Sequence, residues 1–310
     1  MKITNSILSG LSTITRKIVY HRKLNQLYKN INKLMLAAGA EPIVTAKMND
    51  GTVMKVDLST KTERTPYFTG RYESNTFALI YTLFNPDNTF LDIGANIGFY
   101  TVPMGNFIRS NNGKGKVIAF EPFEGNFERL SENVNLNNLN EICELNCFGL
   151  SNSSLKTNIT LREDFKNGSS TGNAAIPTSK KLDKDFKLAP IRLEKLDDIW
   201  NANYSNYNKI DFIKMDIEGH EDFCLQGGSK VIAEHRPVIL MEVNKAYYRA
   251  RNVELDEVFF PFIPEDYLIF RKPKNTWIKL ESLNECVKME NVFMIPKEKL
   301  SLKEFSIFNQ

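Results

Sequence analysis

Carboxylates and glycines that could bind a nucleoside stand together after one apolar segment of the chain. Residues 90–93 form a predicted strand that carries Asp92. The turn that follows supplies four further candidates for cofactor binding: Gly94, Ala95, Asn96 and Gly98. Glycines in such a turn let the backbone approach a ligand closely, and free N–H groups at a helix start favour polar ligand atoms. This pattern is typical of a nucleoside-binding strand–turn–helix unit.

A second apolar strand discriminates between the cofactors that such a unit binds. It covers residues 117–120 and is followed by Glu121 and Pro122. A carboxylate at this point is suited to accept hydrogen bonds from both hydroxyls of a ribose. A dinucleotide site would have Gly-x-Gly-x-x-Gly after the first strand, whereas this chain has Gly94-Ala-Asn-Ile-Gly98 and lacks a pyrophosphate cradle. The spacing therefore favours S-adenosylmethionine over NAD.

A third block, at residues 210–221, offers groups for proton transfer. Methyl transfer to an aliphatic hydroxyl requires a general base, or a hard cation that lowers the hydroxyl pKa. His220 has an ordinary pKa near neutrality, while Asp216 and Glu218 alternate on a strand and would face the same way. These two carboxylates could also hold Mg²⁺, although no third ligand is evident. The alternative is structural: Asp216 orders a loop, a helix begins nearby, and His220 faces solvent.

One more acid and one more turn complete the candidate set. Glu242 ends a predicted strand at residues 238–243, where an ionisable group is suited to acceptor binding or catalysis. Gly149 and Leu150 follow the third strand, where the adenine would lie between apolar groups. Phe123 is either a neighbour of that ring or a core residue.

The three blocks occur in an order that resembles a known family. Asp-Ile-Gly-Ala-Asn-Ile-Gly-Phe-Tyr from Asp92, Ala-Phe-Glu-Pro through Glu121 and Ile-Lys-Met-Asp-Ile-Glu-Gly-His-Glu through Asp216 are similar to motifs of FkbM-family methyltransferases. The resemblance covers about residues 72–244 and includes Asn-Val-Asn-Leu-Asn at residues 133–137. It implies an S-adenosylmethionine cofactor and methyl transfer to a hydroxyl of a carbohydrate, glycan or secondary metabolite.

The resemblance also bears on individual residues. It favours a role for Asp92 in holding the cofactor, through water or backbone groups, over mere stabilisation of the glycine turn. Glu73 falls where FkbM-like chains have a segment that closes over the cofactor, so it could accept from the methionyl ammonium; alternatively it is an acid at a helix start. The position of His220 resembles a variable one, which argues against a universal catalytic role.

Alternating strands and helices from residue 89 onward predict a doubly wound, mostly parallel α/β sheet. The resemblance implies that this sheet belongs to a Rossmann-like class I methyltransferase fold. Its predicted strands are residues 89–93, 116–121, 142–150, 210–216 and 238–243, with an antiparallel addition at 156–161. We expect accessory helices and a hairpin at 1–75, a core at 76–245 and further strands of the same domain at 246–310. The polar residues 162–190 are a lid or a solvated insertion.

Composition limits the partners. The chain has 310 residues, and 40 Lys and Arg against 37 Asp and Glu give a charge of +3, too balanced for a general nucleic-acid binder. Residues 1–40 are basic and amphipathic, with an apolar stripe of Ile3, Ile7, Leu11, Ile14, Ile18, Leu24, Leu27, Ile31 and Leu34. They are expected to pack on the domain or a second subunit, the alternatives being an anionic membrane surface or an organellar transit peptide. No apolar run approaches the ~20 residues of a membrane span, so a cytoplasmic protein is expected. A nucleic-acid methyltransferase and a non-catalytic nucleoside-binding scaffold stay as alternatives.

Overall fold

A computed structural model describes residues 3–17, 24–161, 174–175, 187–273 and 276–309. The strands in these ranges are, in chain order, β1 (Ile43–Lys47), β2 (Val53–Asp57), β3 (Thr89–Ile93), β4 (Lys116–Phe120), β5 (Cys143–Asn146), β6 (Gly149–Leu150), β7 (Leu155–Leu161), β8 (Ala174–Ala175), β9 (Lys187–Glu194), β10 (Ile210–Met215), β11 (Val238–Asn244), β12 (Tyr267–Arg271), β13 (Ile278–Leu280) and β14 (Met289–Pro296).

The α-helices of the same ranges connect these strands or precede them. In chain order they are α1 (Ile3–Thr15), α2 (Leu24–Ala37), α3 (Lys61–Thr69), α4 (Ser74–Leu83), α5 (Thr101–Ser110), α6 (Glu124–Leu136), α7 (Leu196–Ile199), α8 (Glu221–Gly227), α9 (Ser229–His235), α10 (Lys245–Arg251) and α11 (Leu255–Phe259). No helix of the described ranges is long and apolar enough to cross a membrane.

The main sheet has the order β13-β12-β14-β11-β10-β3-β4-β5. Its strands β11, β10, β3, β4 and β5 run parallel to one another, while β14 runs antiparallel to β11 and β12. From β3 the chain builds outward to β4 and β5, then returns to the other side of β3 through β10 and β11. This doubly wound order confirms the predicted class I methyltransferase fold.

Both faces of the main sheet are covered, because its strands present apolar side chains to both sides. Phe90 and Phe212 stack on one face with ring centroids 5.4 Å apart. Leu91 and Ile213, one residue further along each strand, belong to the core on the opposite face. Such two-sided burial is usual for parallel strands, and it leaves the carboxyl ends as the place where polar side chains meet.

A smaller sheet with the order β6-β9-β7-β8 stands beside the main one. The predicted strand at 142–150 is therefore wrong as one element: β5 ends at Asn146, and Gly149 of β6 pairs with Leu193 of β9 instead. The antiparallel addition at 156–161 is confirmed as part of β7, which pairs with β9. Most of the predicted lid, residues 162–173 and 176–186, lies outside the described residues.

The helices α1 and α2 pack on α3 through a face that coincides only in part with the predicted apolar stripe. Leu8 and Tyr28 are buried, and Tyr28 stacks on Phe68 at 5.0 Å. By contrast, Ile3 and Ile14 in the predicted packing stripe are 80% and 62% exposed. The buried face of α1 includes Ser12 and Thr15, and its packing is fixed partly by hydrogen bonds to α3, so apolar periodicity identified it only in part.

Candidate functional site

The turn after β3 is held by its own hydrogen bonds. The N–H groups of Gly94 and Ala95 both donate to the carbonyl oxygen of Phe120, at 3.0 Å each. Gly94 has φ +79°, and a Cβ there would lie 2.1 Å from the carbonyl oxygen of Asp216. Glycine is thus required at this position because two loops touch there. The N–H groups of Gly94 and Ala95 are engaged with Phe120, whereas the sequence suggested that N–H groups of this turn would be free for a ligand.

Gly98 has a packing role that the sequence did not indicate. Its φ is +96°, and a Cβ would lie 2.8 Å from the Leu130 side chain of α6. The residue does not line the cavity described below. The glycine allows α6 to pack closely beside the turn, and its predicted cofactor contact stays a prediction.

Glu121 follows β4 and faces a cavity at the carboxyl edge of the sheet. One carboxylate oxygen accepts from the Asn96 N–H at 2.8 Å and the other from the Phe123 N–H at 3.0 Å. Burial raises the pKa of Glu121 to about 7, although these N–H donors lower it. Each oxygen keeps acceptor capacity for a further donor, so the group is fixed in place and still able to bind hydroxyls.

Asp92 lies behind the turn and not in the cavity. It is fully buried, and its Oδ2 accepts from the Thr101 hydroxyl at 2.6 Å. Its Oδ1 is 3.6 Å from Nζ of Lys214, the residue that pairs with it on the neighbouring strand β10. Asp92 therefore does not line the cavity, and its carboxylate positions Lys214. A hold on the cofactor through water or backbone groups stays a prediction.

Lys214 is a cavity residue to which the sequence analysis gave no role. Its Nζ donates to the Gly94 carbonyl at 3.1 Å, lies 4.0 Å from Asp216 and stands 5.1 Å from the centre of the Tyr100 ring. Burial lowers the pKa of Lys214, but the two aspartates outweigh it and the net direction is upward. A lone lysine inside an apolar strand was the signal that could have identified it.

The loop after β10 carries two of the predicted acids. Glu218 has φ +55° and accepts from the Tyr247 hydroxyl at 2.6 Å. Glu221 is buried and accepts from the Ile217 and Gly219 N–H groups, at 3.1 Å each, and from the Tyr248 hydroxyl at 2.6 Å. Glu221 thus orders the loop that presents Asp216 and Glu218 to the cavity.

Glu242 projects from β11 beside these acids. It is partly buried and lines the same cavity. Burial raises the pKa of Glu242 to about 8, with Asp216 and Glu218 adding to the shift because like charges disfavour ionisation. A carboxyl group whose pKa lies near the pH of the medium can exchange a proton with a substrate hydroxyl.

His220 is a poor proton acceptor in this structure. Its Nε2 lies 2.9 Å from the Ser151 hydroxyl, and its ring contacts Phe223 with centroids 4.7 Å apart. Burial lowers the pKa of His220 to about 4. The ring therefore stays neutral and engaged at ordinary pH, which argues against the predicted role as base.

The predicted residues converge on one cavity of about 350 Å³. Those in its lining are Glu73, Gly94, Ala95, Asn96, Glu121, Pro122, Gly149, Leu150, Asp216, Glu218, His220 and Glu242. Asp92, Gly98 and Phe123 are not in the lining; Phe123 packs with the small sheet. Lining residues that the sequence analysis did not propose include Thr62, Tyr72, Phe99, Tyr100, Ile159, Leu193 and Lys214.

The missed residues come from two sources. Ile159 and Leu193 belong to the small sheet, whose placement against β6 could not be read from spacing. Tyr72 precedes the proposed Glu73, and its ring stacks on Phe99 at 4.4 Å.

Within the described ranges, no group of three or more His, Cys, Asp or Glu side chains could hold a metal ion. Asp216 and Glu218 therefore have no third such ligand within these ranges.

The carboxyl edge of the parallel sheet thus carries a tight turn, a fixed carboxylate and a buried lysine around one cavity. Residues 92–268 match the family model described as "Methyltransferase FkbM domain". Because the match covers more than half of the 310 residues, the chain belongs to the FkbM methyltransferase domain family.

Individual relatives are more distant. Methyltransferase sdnD from Sordaria araneosa is 29% identical over 170 residues, covering 46% of this chain and 61% of that protein. Methyltransferase FkbM from Methylobacillus flagellatus KT is 19% identical, with a TM-score of 0.41 and coverage of 78% and 56% of the two chains. An O-methyltransferase from Bacillus cereus, solved in complex with SAH, is 12% identical, with a TM-score of 0.42 and coverage of 94% and 98%.

Proposed function

We propose that this chain is an S-adenosylmethionine-dependent methyltransferase that acts on a hydroxyl of a carbohydrate or secondary metabolite. The observation that carries the proposal is the Glu121 carboxylate, held by two backbone N–H groups and facing a cavity at the carboxyl edge of the sheet. Membership of the FkbM methyltransferase domain family supports it. The proposed site has three parts: an adenosyl end, a methionyl end and an acceptor end.

At the adenosyl end, Glu121 would accept hydrogen bonds from the ribose hydroxyls. Pro122, Leu150, Ile159 and Leu193 would enclose the adenine with apolar surface. The fit is supported by two cavity residues whose buried amide oxygens, Asn96 Oδ1 and Asn126 Oδ1, have no hydrogen-bond partner among the described residues. Unpaired buried acceptors are costly, and ligand donors such as amino or hydroxyl groups would satisfy them.

At the methionyl end, the charges are complementary to an amino acid. Glu73 and Asp216 could accept from the ammonium group, while Lys214 could pair with the carboxylate. Glu73 is held by the Tyr100 hydroxyl at 2.5 Å, in a backbone conformation with φ +39°. S-adenosylmethionine supplies an electrophilic methyl group when it is bound.

At the acceptor end, Glu242 would serve as the general base. The acceptor oxygen would replace the sulfur on the methyl carbon, with S-adenosylhomocysteine as the leaving group, and the acceptor O–H proton would pass to the ionised Glu242 carboxylate. The raised pKa of about 8 makes this side chain a stronger base than an ordinary carboxylate. Glu218, fixed by Tyr247, could orient the acceptor through a second hydroxyl.

The charge of this end favours a neutral hydroxyl over a phosphodiester. Asp216, Glu218 and Glu242 line the same part of the cavity and would repel phosphates close to the reacting atom. These acids support a carbohydrate or metabolite acceptor over the nucleic-acid alternative.

Calorimetry with S-adenosylhomocysteine tests the adenosyl end. We expect the wild type to bind it and Glu121→Gln to weaken binding about tenfold or more, since charged hydrogen bonds to two hydroxyls are weakened. Glu124→Gln, an exposed acid three residues further along, is the matched control and should bind as the wild type does.

The other outcomes discriminate between the alternatives. Release of S-adenosylhomocysteine in the presence of hydroxylated acceptors would support transfer. Binding without release across a broad acceptor panel would support a non-catalytic scaffold. Binding of NAD with no response to S-adenosylhomocysteine would contradict the proposal.

A further inference from the structure

A second cavity, which we call the basic groove, adjoins the first and carries the opposite charge. It has a volume of about 880 Å³, and its basic lining residues are Arg16, Lys17, Lys61 and Arg71. Among the described residues of its lining, Glu73 is the one carboxylate. Four cations against one acid make this groove a site for an anion.

The positive charge of the groove is not neutralised within the described parts of the chain. The Arg16 guanidinium donates to backbone carbonyls, that of Tyr67 at 2.8 Å and that of Lys47, which fixes the group without cancelling its charge. Lys61 and Arg71 are exposed, and neither forms an ion pair with a described residue. The groove therefore offers cations that a ligand can reach.

The basic groove shares part of its wall with the first cavity, which contains Glu121 and Glu242 and is called the reaction cavity below. Thr62, Tyr72 and Glu73 line both. Beyond them the groove is lined by the first turn of α4, where Ser74, Asn75 and Thr76 add hydroxyl and amide groups. A ligand with a hydroxyl in the reaction cavity could thus extend past Tyr72 into the groove.

We propose that the basic groove binds an anionic group, a phosphate or carboxylate, carried by the methyl acceptor itself. This inference rests on the proposed function, because it assigns one substrate to both cavities. Lys61 and Arg71 would hold the anion by charge-assisted hydrogen bonds, while the neutral hydroxyl enters among the acids around Glu242. The opposite charges of the two cavities then fix which end of the acceptor reaches the methyl group.

The size of the groove favours a small acceptor over a polynucleotide. Its volume of about 880 Å³ matches a pocket for a ligand of a few sugar rings. A polynucleotide would also place phosphates close to Asp216 and Glu242, where they would be repelled. The acceptor class is thus a hydroxylated small molecule with one anionic substituent.

Binding of three related sugars tests the inference directly. Glucose 6-phosphate, glucuronate and glucose share their hydroxyls and differ in charge, so their dissociation constants can be compared by calorimetry with and without S-adenosylhomocysteine. We expect both anionic sugars to bind the wild type about tenfold or more tighter than glucose. The stronger of the two identifies phosphate or carboxylate as the preferred group.

A charge-removal variant with a matched control locates the site. Lys61→Gln with Arg71→Gln should abolish the preference for anionic sugars yet keep wild-type affinity for S-adenosylhomocysteine. Lys29→Gln with Lys33→Gln removes the same charge from the exposed face of α2 and should change neither. Circular dichroism and thermal melting check that both double variants fold.

Three results would overturn the inference. They are equal binding of glucose and the anionic sugars, equal losses in the two double variants, and binding of a single-stranded RNA oligonucleotide without binding of the sugars. A wild type that fails to bind S-adenosylhomocysteine would sink the proposed function instead, while the comparison between sugars would still decide whether the groove binds anions.

Discussion

The adenosyl end of the cavity and the acceptor end are built in different ways. The adenosyl end comes from short contiguous blocks around Gly94, Glu121 and Leu150, and its polar groups are held by hydrogen bonds to the backbone. The acceptor end combines Glu218, Glu242 and Tyr247, which come from the loop after β10, from β11 and from α10. A common cofactor needs one fixed frame, whereas acceptor binding can change with each contributing segment.

The two ends differ in rigidity and in charge. At the adenosyl end, close backbone contact leaves no room for change at Gly94. At the acceptor end, clustered carboxylates and the nearby basic groove set up opposite potentials a short distance apart. Substitutions at the first end should therefore affect folding and cofactor affinity together, and those at the second should affect rate and acceptor choice.

The largest effect is expected for Gly94→Ala. The new Cβ would meet the Asp216 carbonyl oxygen at 2.1 Å on a backbone with φ +79°. Clash and strain together should lower the free energy of unfolding by roughly 4 kcal/mol and remove binding of S-adenosylhomocysteine. Gly39→Ala is the control, since Gly39 has φ +87° with no atom within 4 Å, so it tests strain alone. Equal melting temperatures for the two variants would contradict the close-contact account.

The next effect should follow from Lys214→Met. Both partners are buried, so Asp92 would keep a charge without its cation, and the free energy of unfolding should fall by about 3 kcal/mol. The double variant Asp92→Asn with Lys214→Met should recover part of that loss, and a double-mutant cycle from urea unfolding measures it. Additive losses would show that the two side chains act independently.

Glu242→Gln should act on the rate. We expect kcat to fall about 100-fold while affinity for S-adenosylhomocysteine stays within about twofold, because the base contributes to proton transfer and not to cofactor binding. The base must be ionised, so wild-type kcat/KM should rise as pH increases through about 8, the raised pKa of Glu242, and then level off. The variant should lose this rise. A profile with the same limb in both proteins would assign the base elsewhere.

The smallest effect should separate the two candidate walls of the adenine site. Leu193→Ala removes apolar surface from the cavity lining and should weaken binding of S-adenosylhomocysteine about fivefold. Phe123→Ala should leave that affinity unchanged apart from any loss of stability, because Phe123 is not in the lining. Calorimetry on both variants decides; the reverse ranking would restore Phe123 as the ring neighbour.

The sequence predicted the sheet and the meeting of Glu121, Asp216 and Glu242, because carboxyl ends of parallel strands lie at one edge. It did not predict that Asp92 would turn inward to Lys214, since strand pairing decides that contact. The packing role of Gly98 was not predicted because a glycine needed for helix packing looks the same in sequence as one needed for a ligand.

The basic groove could not be predicted for a further reason. It brings Arg16 together with Lys61 and Arg71, which depends on how α1 docks on α3. That docking uses Ser12 and Thr15 on the buried face of α1 and leaves Ile3 and Ile14 exposed, so apolar periodicity predicted the buried face only in part. Polar packing of this kind has no period that a sequence pattern reveals.

The most direct test is a crystal structure of the wild type with S-adenosylhomocysteine. The account predicts ribose hydroxyls within hydrogen-bond distance of the Glu121 carboxylate, the adenine against Leu150 and Leu193, and the sulfur facing the space beside Glu242. An adenosyl group bound elsewhere, or a ribose that does not contact Glu121, would contradict it.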